Sequence, residues 1–187
     1  ARWVALPSSG TGSLTVDGVA VPVSQTAEIT RRIHPGSRIR LECVRDLDIV
    51  SGGVLAMQLA PGTEVVVPRA PGRWFGRSSQ ASVDAGHFRL TTGEHFHGAR
   101  LAITTPEAAI QVTGTTLAVI AIPSGTCVCV LEGVAQVGPR AGAMMPVPAG
   151  SRCEIHRRDG ETQMGDMLVS ERPKLTDLRD RMASVLR

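Results

Sequence analysis

The stretch Gly114-Thr115-Thr116-Leu117-Ala118-Val119-Ile120-Ala121-Ile122, continued by Gly125-Thr126-Cys127-Val128-Cys129-Val130-Leu131-Glu132-Gly133-Val134-Ala135-Gln136-Val137, decides the fold class. Each run is too short for a typical helix, rich in β-branched residues and closed off by glycine, which is the pattern of strand and turn. Residues two apart share a face of a strand. Cys127 and Cys129 therefore look one way, and Val128 and Val130 the other.

Runs of the same kind lie on both sides of this stretch: Ser13 to Val16, Val19 to Val23, Arg38 to Val44, Val54 to Leu59, Glu64 to Val67, His87 to Thr91, Ala99 to Thr104, Ala109 to Thr113 and Arg152 to His156. Glycines at 36, 62, 86, 114 and 150 open many of them in a loose repeat. This predicts an all-β body of short strands, either solenoid-like or a twisted β-sandwich. Helical periodicity is almost absent before residue 170. After it, Leu175, Leu178, Met182, Val185 and Leu186 share one helical face with Pro173 in the first turn, so one helix is expected from about Pro173 to Leu186, docked on the body's own core. The expected organisation is an N-terminal β-rich part at 1–67, a connecting loop at 68–83, a β core at 84–158, and a linker with the amphipathic helix at 159–187.

The chain has 187 residues, 42% of them hydrophobic and 20% charged. A domain of this size buries about 70% of the surface its unfolded chain exposes, so a real core is available. No apolar run approaches the roughly 18 residues of a membrane span. Twenty basic against 17 acidic residues give a net charge of +3, and Lys174 is the only lysine. The arginines are scattered, and aromatic residues make up 3% with no tyrosine. Stacking platforms for single strands are scarce, and no nucleic-acid partner is expected. The first residue is Ala1 rather than methionine, as in a processed or excised chain, so localisation is not read from this end.

His95 and His97, with His87 upstream, are weak candidates for metal ligands on one face of an extended strand. A cupin-like set needs a carboxylate soon after the pair and a further histidine about forty residues on. The next acid after Glu94 is Glu107 and the next histidine is His156, so no metal and no cofactor is expected. Cys127 and Cys129 lie about 6.5–7 Å apart along the strand, too far for a bond to each other. Buried free thiols, disulfides through Cys43 or Cys153, and a thiolate metal site all remain open. In an oxidising compartment one disulfide from Cys153 to Cys127 or Cys129 is expected, because the strand at 152–156 follows at one loose repeat.

No nucleophile elbow or phosphate-binding loop is present, and nothing groups Glu94, Glu107, Glu132 or Asp166 into an acid–base pair. No enzyme is expected. Arg73, Trp74, Phe75 and Arg77 have the composition of an interaction hot spot on a loop. Burial of Trp74 and Phe75 as a plug over the core is the competing reading.

Four pieces in order resemble the FecR domain: Gly86 to Glu94 ending in a Gly-Glu turn, Ile103 to Ala108 with its Thr-Pro step, Ile110 to Val119 with its Gly-Thr turn, and Gly125 to Val137 with Glu132-Gly133-Val134. The resemblance covers about residues 84–155. It implies a periplasmic, non-catalytic sensing or interaction domain of an anti-sigma-type regulator, anchored in the inner membrane through a missing N-terminal segment, with another envelope protein as partner. A structural or glycan-binding β domain of the cell envelope is the alternative, and a cupin-like metal-dependent enzyme a more distant one.

Overall fold

The computed structural model describes residues 2–8, 10–71 and 77–187. In chain order they form β1 (Val4–Ala5), β2 (Gly12–Val16), β3 (Val19–Pro22), α1 (Thr26–Arg32), β4 (Arg38–Cys43), β5 (Leu47–Ser51), β6 (Leu55–Leu59), β7 (Glu64–Val66) and β8 (Ser78–Thr92). A 3-10 turn at Glu94–Phe96 leads into β9 (Arg100–Thr104), β10 (Ala108–Val112), β11 (Thr116–Ile122), β12 (Gly125–Glu132), β13 (Val134–Pro139), β14 (Met145–Pro148), β15 (Ser151–His156), β16 (Thr162–Asp166) and α2 (Arg172–Met182).

The strands make two layers that share one member. The first sheet runs β1-β5-β6-β8-β11-β12-β15-β16, and the second runs β3-β2-β4-β7-β8-β9-β10-β13-β14. The result is an open twisted sandwich of mixed sheet, as the alternating runs predict. Inward residues of both layers, including Leu41, Val83, Ile103 and Val137 from one and Met57, Phe88, Val119 and Val128 from the other, belong to one apolar cluster. The expected N-terminal part and β core are thus packed around a common interior.

β8 crosses between layers at Gly86. Its first half pairs with β7 and, in parallel, with β9, while its second half pairs with β6 and β11. Gly86 has φ of +90°, a conformation in which a side chain is strained, and a Cβ there would lie 2.5 Å from the Thr63 Cα. Thr63 fills the gap where the ladders part. Its hydroxyl donates to the His87 carbonyl at 3.0 Å and accepts the His87 N–H at 3.1 Å.

Several elements differ from the sequence expectation. The excursion placed at 68–83 ends sooner, because β8 already begins at Ser78. Ser79, Ala81 and Val83 alternate into the core there, but Ser79 is polar and Ala81 small, so they do not register as an apolar run. The helix α1 is only seven residues long and buries Ile29, with Ile33 buried just beyond it, too brief for a periodic signal. The terminal helix stops at Met182 rather than Leu186, although Leu186 still packs against Val50, Ala56 and Leu178.

Candidate functional site

Two regions carry chemistry beyond packing: the outer face of the first sheet under α2, and the free edge of that sheet at β16. On the face, alternation puts His87 and Arg89 outward from β8 while Phe88 and Leu90 point to the core. The helix α2 covers this face in two apolar contacts. Leu175, with Met167, meets Ala118, Ile120, Cys127 and Cys129, while Leu178, Met182 and Leu186 meet Val50 and Ala56.

Between these contacts lies Arg89, only 2% exposed, facing Glu171 at 1%. Arg89 Nε donates to Glu171 Oε2 at 2.8 Å and Nη2 to Oε1 at 3.2 Å, a bidentate pair. Nη1 donates to Gln58 Oε1 at 3.0 Å and to Asp46 Oδ2 at 3.3 Å. Lys174 Nζ adds a donor to Glu171 Oε1 at 3.1 Å, and His87 Nδ1 stands 3.9 Å from the same oxygen, beyond hydrogen-bonding range. Burial pushes the Glu171 carboxyl upward, but the bonded Arg89 and Lys174 outweigh it and hold the group well below the usual carboxylate range. Burial likewise pushes Asp46 up, opposed by the charge of Arg89. An ionised network of this kind, saturated with internal partners, latches a helix to a sheet.

Of the loop candidates, Arg73, Trp74 and Phe75 lie outside the described residues. Arg77 is tied down: its guanidinium donates to the His97 carbonyl, and its own carbonyl accepts the Arg100 N–H at 2.8 Å. Arg69 and Ser78, which flank this segment in sequence, both line an open groove of about 790 Å³ over the second sheet, together with Gln80, Arg100 and Gln111.

The histidines are not where an extended strand would put them. His95 is inside the 3-10 turn and His97 caps it, so they do not share a strand face. His87 is on β8 beside Glu171. Glu107 and Glu132 are engaged in structure, Glu107 accepting from Thr126 and Arg157 and Glu132 from Arg179.

All four cysteines are free and buried. β15 does lie beside β12, as the repeat implies, but Cys153 stands opposite Val128, with Glu154 opposite Cys127 and Arg152 opposite Cys129. Cys153 therefore points into the sandwich while Cys127 and Cys129 point out under α2. The expected disulfide from Cys153 to either one is ruled out by register.

The sheet edges differ in what they offer. β1 has two residues, and β3 and β14 carry Pro22, Pro146 and Pro148, which cannot donate to a ladder. β16 has no proline. The His156 N–H to Glu161 carbonyl bond (3.0 Å) and the Met167 N–H to Gly150 carbonyl bond (2.8 Å) fix the phase of the β15–β16 ladder. Gln163 and Gly165 then bond inward, while Thr162, Met164 and Asp166 turn their backbone groups outward. The Asp166 carbonyl is taken by Arg152 Nη1 at 2.7 Å. The outward groups of Thr162 and Met164 have no partner among the described residues.

Residues 45–136 match the family model of the FecR protein. The chain carries a FecR domain. The match begins well before the resemblance read from sequence, at about residue 84, because β5 and β6 pair in line with the second half of β8 and belong to the same unit. The FecR domain resembles two crystal structures, at 1.65 and 2.50 Å resolution, of a candidate anti-sigma factor from Parabacteroides distasonis ATCC 8503. Each gives a TM-score of 0.58 at 16% identity, covering 72% of this chain and 61% of that one, so the likeness is one of fold. No curated protein matches.

Proposed function

We propose that this FecR domain is the extracytoplasmic sensing and interaction part of an anti-sigma-type regulator, that it does no chemistry of its own, and that it binds another envelope protein along the edge of β16. The family match supports the regulatory class. The observation that carries the surface is the outward backbone of Thr162 and Met164 on the one sheet edge, among the described residues, that is neither shorter than three residues nor interrupted by proline. Such an edge accepts a partner strand through main-chain hydrogen bonds. Among the described residues no helix is long and apolar enough to cross a membrane.

The test is photo-crosslinking in the host from a probe residue at Gln163 in the intact gene product. An adduct with an envelope protein is expected, lost with Met164→Pro and kept with Met164→Ala. Proline at 164 removes only the outward N–H and leaves the β15 ladder bonded. An adduct indifferent to Met164→Pro refutes the edge, and measurable hydrolase or lyase turnover refutes the regulatory reading.

A further inference from the structure

Cys127 and Cys129 project from one face of β12 with their sulfurs 3.9 Å apart. They are buried with Met167, Leu175, Ala118 and Ile120 in a cluster that excludes the main core. Met167 immediately precedes Leu168, whose backbone N–H is bonded to Cys129. The Met167 side chain thus shares the buried cluster of the two thiols, where β12, the segment after β16 and the start of α2 meet.

We propose that Cys127 and Cys129, with the Met167 thioether as third donor, form a binding site for a soft monovalent cation of the Cu(I) type. The strand geometry carries this inference, and it does not rest on the regulatory reading. With metal–thiolate bonds of about 2.3 Å, sulfurs 3.9 Å apart subtend roughly 116° at the ion. That angle is close to trigonal and leaves one position for a third ligand. Two thiolates and a thioether are a soft set that favours Cu(I) over harder ions. Zinc would need four donors, and no group of three or more His, Cys, Asp or Glu residues with metal-binding geometry occurs among the described residues.

Binding releases two protons, one from each thiol, and leaves a net charge of −1 on the Cu(I) dithiolate. Arg152 stands opposite Cys129 in the β12–β15 ladder, with its guanidinium bonded to Glu154 Oε1 at 2.7 Å. Cys127 also lines a surface cavity of about 130 Å³ with Glu154, His156 and Ser124, which gives an ion a way in between the start of β12 and the end of β15.

The experiment is anaerobic competition for Cu(I) against a chromophoric Cu(I) chelator, using the whole chain. One equivalent is expected to transfer to the wild type and to the Cys153→Ser variant alike. Loss of a supporting group commonly costs about 10–100-fold in affinity. The Cys127→Ser, Cys129→Ser double variant should lose more than that, and Met167→Leu about tenfold. Cys127→Ser alone, at the rim of the cluster, keeps the test decisive if the double variant fails to fold. No transfer to the wild type, transfer unchanged by the Cys127 and Cys129 variants, or transfer abolished by Cys153→Ser would each overturn the site.

Discussion

Replacing Glu171 by alanine should cost the domain about 3 kcal/mol and loosen α2. Breaking a buried ion pair by removing one partner costs about 3–5 kcal/mol, because the other charge is left behind without compensation. The lower end applies here, since Arg89 would keep Gln58 at 3.0 Å and Asp46 at 3.3 Å. In a chain of this size each kcal/mol moves Tm by about 2–4 °C, so a fall of about 6–12 °C is expected. Urea unfolding followed by far-UV circular dichroism measures it, with Arg89→Met, Glu171→Leu as the companion in which no charge is stranded and most of the loss should return. The pH dependence has a definite sign. Glu171 is depressed in the folded state, so its stabilisation is fully present above the ordinary glutamate pKa of about 4.3 and is lost as pH falls below that toward the folded value. In the alanine variant this contribution to the acid limb should vanish while stability near neutrality stays flat. A loss under about 1 kcal/mol, or a double variant as unstable as the single one, would refute the view that this pair latches the helix.

Two further outcomes follow from the backbone and the register. Gly86→Ala should destabilise by about 3 kcal/mol or more, combining positive-φ strain with a clash on Thr63, whereas Gly62→Ala, with φ of +79° and nothing within 4 Å of its Cβ, should cost only about 1 kcal/mol in the same assay. Non-reducing mass spectrometry after alkylation of oxidatively expressed protein should find no linkage from Cys153 to Cys127 or Cys129, and such a linkage would refute the β12–β15 register.

Strands whose inward residues are large and branched were legible in the sequence. Thr116–Ile122 is an example, where every second side chain meets the interior and the other face is covered by α2. Strands built from small or polar residues were not, as in the first half of β8, or in β16, where Gln163 and Gly165 carry no apolar signal. The cysteines show where reading stops. That β12 and β15 are neighbours could be foreseen from the repeat, but the register differs by one residue, and one residue turns Cys153 to the other face. The Arg89–Glu171 latch joins residues far apart in the chain, and no local pattern marks either one. The only hint is an arginine amid the apolar run at Phe88-Arg89-Leu90, which on an uncovered face would be ordinary.

The sharing of β8 between layers also sets an order of events during synthesis. As the chain emerges N-terminus first, β6 and β7 are ready to flank β8 on one side, but its other neighbours, β9 and β11, have not yet been made. Until Ile122 has left the exit tunnel, the second half of β8 lacks its β11 partner and stays an open edge in the middle of the first layer, a state prone to mispairing with other chains. Commitment to the native sandwich therefore waits on β11, and slowing translation just after it should raise the yield of folded protein more than slowing it before.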